Sequence, residues 1–185
     1  MVIIKIIFAS QNKNKVLELS AILKPYHIKL KSISDFTSTS PEENGKTFEE
    51  NALLKARWAM SYSQDIYSSL ADDSGLCIKN LNDSPGIHSA RWSINKSYNQ
   101  IFSEINNKFN NLGLKMNNQP AEFICVIAYI NKKKEEYLYK GSLKGTMTFP
   151  PKGKGGFGYD PIFKPLNSEH TLAEMSSEYK NNISH

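Results

Sequence analysis

The chain has 185 residues, 39% of them hydrophobic and 22% charged, enough to bury a substantial core within one domain of two lobes. Its longest apolar runs, residues 2–10 and 123–130, fall well short of the roughly 18 to 20 residues a membrane span requires. The start, Met-Val-Ile-Ile-Lys-Ile-Ile, reads as a strand with neither a basic leader nor a cleavage site, so a cytoplasmic protein without a membrane partner is expected. Two cysteines, Cys77 and Cys125, are too few for a disulfide framework or a Cys-rich zinc site, and the four histidines are scattered without metal spacing. A net charge of +5 favours anionic partners, which leaves both nucleotides and nucleic acids open.

Residues 2–9 form a β-rich apolar run that leads through the polar loop Ser10-Gln11-Asn12-Lys13-Asn14-Lys15 into a helix carrying Val16, Leu17, Leu19, Ile22 and Leu23 at helical spacing. Pro25 closes that helix, and residues 28–33 alternate as a half-buried strand. After a polar loop over 35–46, Thr47 with Glu50 has the form of a capping box and opens a helix predicted for residues 48–63. Strands at 66–71 and 76–78 flank Asp72-Asp73-Ser74-Gly75, which reads as a tight turn with both aspartates on a strand-end loop. Beyond a turn at Pro85-Gly86, a helix is predicted over 98–109 and a loop over 110–120. Residues 123–130 make a strand, 131–134 a hairpin turn, and 137–139 and 144–149 two further strands. A glycine-rich segment at 153–158 precedes a short helix opened by Thr171 and Glu174. This order predicts a mixed α/β fold around a twisted, partly antiparallel sheet.

Four segments carry chemistry. The loop from Ser10 to Lys15 sits where helix N-terminal N–H groups and the helix dipole attract phosphate, and Ser10, Asn12 and Lys15 add donors; a merely solvated loop is the competing reading. Asp72-Asp73-Ser74-Gly75, together with Glu42-Glu43 and Glu49-Glu50, offers the hard oxygens that Mg²⁺ prefers, although a plain β-turn has the same composition. Asn51 and Lys55, four apart, share a helix face from which Lys55 reaches a phosphate, or else pairs with Asn51 or nearby acids as an exposed lysine. In Gly153-Lys154-Gly155-Gly156-Phe157-Gly158-Tyr159-Asp160, glycines let the backbone approach a ligand while the ring stacks on a base.

Taken in order, six stretches resemble the inosine triphosphate pyrophosphatase family, also called dITP/XTP pyrophosphatases. They are Phe8-Ala9-Ser10-Gln11-Asn12-Lys13-Asn14-Lys15, Thr47-Phe48-Glu49-Glu50-Asn51-Ala52, Ala71-Asp72-Asp73-Ser74-Gly75-Leu76, Pro85-Gly86-Ile87-His88-Ser89-Ala90-Arg91, Gly155-Gly156-Phe157-Gly158-Tyr159-Asp160-Pro161 and Ile183-Ser184-His185. The resemblance implies a bilobed α/β domain over residues 1–185, a homodimer, with a nucleotide groove between the lobes. It also implies that Ser10, Asn12 and Lys15 bind the triphosphate and Lys55 a further phosphate, while Glu43 and Asp73 hold Mg²⁺. Asp73 matches the proton acceptor as well, Ser74 a substrate contact, Phe157, Gly158, Tyr159 and Asp160 the base-binding loop, and Lys180, Ser184 and His185 the wall of the base pocket. Gln11 stands where many relatives have glycine, and the family pattern continues after Ile-Ser-His with an arginine and a final helix.

The expected activity is therefore hydrolysis of ITP, dITP and XTP to a monophosphate and pyrophosphate, with no stable nucleic-acid partner. A related pyrophosphatase for pyrimidine or modified nucleotides, and a basic nucleic-acid-binding module built on the lysines and Phe157, are the alternatives. The second alternative predicts affinity that falls steeply with salt.

Overall fold

A computed structural model describes residues 4–64, 66–93 and 95–184. It is a mixed α/β protein with a seven-stranded sheet in the order β2-β1-β3-β5-β6-β7, β4 pairing with β3 off this path. The chain divides into two compact units, residues 1–73 with 126–140, and residues 74–125 with 141–185.

In the first unit, β1 (Lys5–Phe8) lies parallel between β2 (Lys29–Ser32) and β3 (Ser68–Ile78), with Phe8 opposite Ser32 on one side and Leu70 on the other. Parallel pairing requires crossovers, and α1 (Lys13–Leu23) and α2 (Phe48–Met60) lie in the connections to β2 and β3. Ile6, Phe8 and Leu70 form a small core with Val16, Leu19, Ile28, Leu30, Ile127 and Tyr129 against it. The loop before α1 is shorter than expected. Asn12 caps the helix by accepting from the backbone N–H groups of Asn14 and Lys15, so Lys13, Asn14 and Lys15 belong to the first turn. Thr47 caps α2 through the Glu50 N–H as predicted, but the Glu50 carboxylate accepts from Lys46 N–H at 2.6 Å.

The predicted turn at Asp72-Asp73-Ser74-Gly75 does not exist: β3 runs unbroken from Ser68 to Ile78. Composition misleads here because Asp, Ser and Gly favour turns only when nothing pairs their backbone. Gly75 serves close approach instead. A Cβ there would drive into the Gly86 carbonyl oxygen and come within 2.7 Å of Ser89 Oγ. The two strands expected at 137–139 and 144–149 are likewise one, β6 (Glu136–Met147), in which glycine again permits contact, since a Cβ on Gly145 would meet the Phe163 ring.

The second unit holds the larger core: Leu76, Ile78, Ile101, Phe102, Ile105, Phe109, Met147, Ile162, Phe163 and Leu172 among others. Its principal helix, α3 (Tyr98–Asn111), starts at a capping box between Ser97 and Gln100 and buries Ile101, Phe102, Ile105 and Phe109 at helical spacing. The short strand β4 (Ser84–Pro85) lies antiparallel to the end of β3, and β7 (Phe163–Pro165), which the sequence did not predict, lies antiparallel to β6. Strand β5 (Pro120–Ile130) leads to the expected hairpin, closed by Asn131 N–H donating to Glu135 O at 3.1 Å. Glu174 accepts from Thr171 N–H at 2.7 Å to open a 3₁₀ turn, and the final helix, α4 (Ser177–Ile183), follows with Ser176 as its cap. No helix among the described residues is long and apolar enough to cross a membrane.

The slot around Gly75 leads to a stability prediction. Gly75→Ala should cost about 1–3 kcal/mol through overpacking, read as a fall of several degrees in the melting temperature. A melting temperature equal to that of the wild type would show that β3 and the Gly86 turn can part without cost.

Candidate active site

The acidic pair of β3 defines the chemistry of the first unit. Successive strand residues point to opposite faces, and the two aspartates accordingly take different partners: Asp72 pairs with Lys15 of α1, and Asp73 with Lys55 of α2. Lys55 Nζ lies 2.8 Å from Asp73 Oδ1 and 3.0 Å from Glu43 Oε1, so one ammonium draws two carboxylates together. Only 13% of its side chain is exposed, so Lys55 is not the exposed lysine of the alternative reading, although it does pair with a preceding acid, Glu43. Asn51, fully buried one helical turn earlier, donates from Nδ2 to Asp73 Oδ2 at 3.3 Å. Burial pushes the Asp73 carboxyl above the usual carboxylate range; the Lys55 ammonium and Asn51 pull it back, and Glu43 adds to the rise.

Beside this cluster, Asn12 spends its side-chain oxygen on the start of α1, and Ser10 Oγ accepts from Asn12 N–H at 3.2 Å. Lys15 belongs to the same turn, whose Asn14 and Lys15 N–H groups are taken by Asn12 Oδ1. The Gln11 amide donates to the carbonyls of Ser38 and Thr39, at 3.1 and 2.8 Å, and so tethers the loop of residues 36–47 that carries Glu43.

Among the described residues there is no group of three or more His, Cys, Asp or Glu side chains suited to a metal. Two hard carboxylates converging on one cationic point nevertheless match the donor set of a hard divalent ion that takes its remaining ligands from substrate phosphates and water. Glu43 and Asp73 therefore fit such a cation.

A lysine–aspartate pair also organises the other unit. Lys180 Nζ of α4 lies 2.9 Å from Asp160 Oδ2, both side chains almost wholly buried, and stands 4.2 Å from the centroid of the Phe157 ring. The same Asp160 oxygen accepts from Phe157 N–H at 2.8 Å, which shapes the glycine-rich loop. The ammonium over an aromatic face gains cation–π attraction in addition to the ion pair. Tyr159 is buried, donates to Ser89 O at 2.8 Å and packs edge-on against Tyr98, and burial raises its phenol well above the ordinary value. Ser89 Oγ in turn accepts from Leu76 N–H and donates to Gly86 O.

The glycines of this loop also serve the fold of the loop itself. Gly155 N–H donates to Ala173 O at 2.9 Å, and Gly156 and Gly158 hold positive φ values of 68° and 64°. Side chains at Gly153 and Gly156 would run into the Ala173 backbone and the Asp160 carboxylate. They let the loop fold upon itself, which in turn presents Phe157 half-buried. Ser184 caps α4 through its N–H to Lys180 O, and His185 lies outside the described residues.

Of the predicted residues, Lys15, Glu43, Lys55 and Asp73 fall in ion pairs of the first unit, with Ser10 and Asn12 at the adjoining helix start. Phe157, Asp160 and Lys180 form one contact set in the second, with Tyr159 next to it in the chain. Sequence reasoning gave no role to Asn51 beyond its shared face with Lys55, nor to Ser89 as the acceptor for Tyr159. Only the spacing of Asn51 from Lys55 hinted at either.

Fold and site together define a mixed α/β protein with an acid–lysine cluster next to a helix start and a buried lysine over an aromatic ring. The chain belongs to the Ham1 family, whose model matches residues 6–185. It is 40% identical over 184 residues to the dITP/XTP pyrophosphatase of Thermoanaerobacter pseudethanolicus, covering 98% of this chain and 90% of the relative. The Bacillus licheniformis dITP/XTP pyrophosphatase is 38% identical over 187 residues, with 98% and 91% covered. A HAM1 protein from Coxiella burnetii superposes with a TM-score of 0.87 at 36% identity, covering 99% of this chain and 92% of that one.

The Lys180–Asp160 pair can be tested directly. Lys180→Met leaves a buried carboxylate without its cation and should cost about 3–5 kcal/mol. Adding Asp160→Asn removes the stranded charge and should recover part of the loss, and denaturant melts of both variants measure the difference. Equal loss in the single and the double variant would contradict a charge-based origin.

Proposed function

We propose that the protein hydrolyses deaminated purine nucleoside triphosphates, ITP, dITP and XTP, to the monophosphate and pyrophosphate, acting as one pyrophosphatase domain that clears damaged nucleotides from the cytoplasmic pool. The observation that carries this reading is the Lys55 ammonium drawn to both Glu43 and Asp73. The dITP/XTP pyrophosphatase relatives supply the substrate class. Mg²⁺ as the cation and a homodimeric assembly belong to the same proposal.

Glu43 and Asp73 would hold Mg²⁺, which when bound neutralises phosphate oxygens. Lys15 and Lys55 neutralise charge on the β and γ groups, and Ser10 and Asn12, at the positive end of the α1 dipole, orient the chain of phosphates. Water attacks the α-phosphorus; its oxygen bonds to phosphorus as the bond to the bridging oxygen breaks and pyrophosphate departs. Asp73 is the group assigned to orient that water and accept its proton, with Ser74 a substrate contact beside it.

At the other end of the substrate, Phe157 stacks on the base, and Gly158, Tyr159 and Asp160 complete the loop that receives it. Hypoxanthine and xanthine present an acceptor at position 6, whereas adenine presents an amino donor, so donors from His185, Ser184 and nearby backbone favour the deaminated bases. The Lys180 ammonium repels the 2-amino group of guanine but not the 2-oxo group of xanthine.

A single panel tests the proposal: ITP, XTP, dITP, GTP, ATP and UTP with Mg²⁺, scoring pyrophosphate against phosphate. Pyrophosphate should be the product, with GTP trailing ITP in kcat/KM by roughly 5- to 150-fold; equal values would remove Lys180 from base selection, and preference for UTP would move the enzyme to another substrate class. Asp73→Asn should lower ITP turnover by about 10²- to 10⁴-fold while leaving a folded protein. Near-normal turnover would take Asp73 out of the reaction.

A further inference from the structure

We infer that Asn51 is the positioning residue that sets the spacing between Glu43 and Asp73, an inference that rests on the proposed reading of those acids as the cation holders. Asn51 has no solvent exposure. A buried amide must satisfy both of its ends, and here the two ends reach the two sides of the site. Nδ2 donates to Asp73 Oδ2 at 3.3 Å, and Oδ1 accepts from Gly45 N–H at 2.9 Å. Gly45 lies two residues beyond Glu43. One rigid planar group, fixed in α2, thereby ties the strand that carries one acid to the loop that carries the other.

The surroundings leave this link little play. A Cβ on Gly45 would collide with Asn51 Oδ1 and approach Glu50 Cβ to 2.9 Å, so only glycine brings its N–H so near. The next N–H, of Lys46, donates to Glu50 Oε2, and at the far end of the loop Gln11 holds the carbonyls of Ser38 and Thr39. Glu43 sits between these anchors. Its meeting with Asp73 at Lys55 thus depends on the loop being held at both ends. No other side chain of this size offers a donor to Asp73 and an acceptor to Gly45 at once: Asp has no donor when ionised, and Leu has neither.

Groups that orient metal ligands contribute about 10- to 100-fold in metal affinity or activity. The test is Mn²⁺ binding without nucleotide, followed by the electron paramagnetic resonance of the free ion, in the wild type and in Asn51→Leu, Glu43→Gln and Asp73→Asn, together with hydrogen exchange at the Gly45 amide. Asn51→Leu should weaken Mn²⁺ binding by about 10- to 100-fold and speed exchange at Gly45. Unchanged Mn²⁺ affinity in Asn51→Leu, with Glu43→Gln and Asp73→Asn weakened, would overturn the role of Asn51 and spare the cation site. Unchanged affinity in both acid variants would instead overturn the cation site on which the inference stands. Should Asn51→Leu fail to fold, Gly45→Ala breaks the same bond from the loop side, and wild-type affinity in that variant overturns the role equally.

Discussion

One lysine ammonium shared by a buried carboxylate, Asp73, and a part-exposed one, Glu43, sets the terms for the first unit. Burying Lys55 and Asp73 costs several kcal/mol for each charge, and close mutual pairing repays it. Lys55 therefore needs Asp73 and Glu43 at the distances observed, and every element that supplies them is constrained in turn. Helix α2 must start where Thr47 caps it, so that Asn51 and Lys55 fall one turn apart on the same face. Strand β3 must keep its parallel register with β1, and the loop of residues 36–47 must be anchored from both sides.

The second unit solves a related problem with different materials. Its buried lysine has one carboxylate and an aromatic face, and that carboxylate also accepts a backbone N–H from the ring-bearing loop. A cation between two acids suits exchange with phosphate and metal charge, whereas a cation above a ring suits a flat, polar-edged ligand. The same pair of residue types thus meets two different sets of neighbours, a second carboxylate in one unit and an aromatic ring in the other.

Much of this was legible in the sequence where a local signal agreed with the tertiary demand. Thr47 and Glu50 announced α2, Pro25 ended α1, and the apolar run at 123–130 marked β5. Reading failed where composition pointed to a turn but long-range pairing imposed a strand, as at Asp72-Asp73-Ser74-Gly75 and in the middle of β6. In both places glycine marked a close approach by a distant part of the chain, to Ser89 in one case and Phe163 in the other, which no local window contains. In the glycine-rich loop too, Gly153 and Gly156 lie against the backbone of Ala173 and the side chain of Asp160. Glu43 and Asp73 stood out by type and order, while the link through Asn51 was hidden, because one of its partners is a backbone N–H six residues away.

The unbroken course of β3 gives the neighbouring aspartates a parity. Because side chains alternate along a strand, Asp72 and Asp73 are assigned to Lys15 and Lys55 by nothing more than odd and even position. Shifting that strand by a single step would hand each acid to the opposite face and strand both lysines. An insertion or deletion of one residue between Leu70 and Asp72 is therefore a far graver change than its size suggests, whereas a two-residue change keeps the faces and loses only the reach.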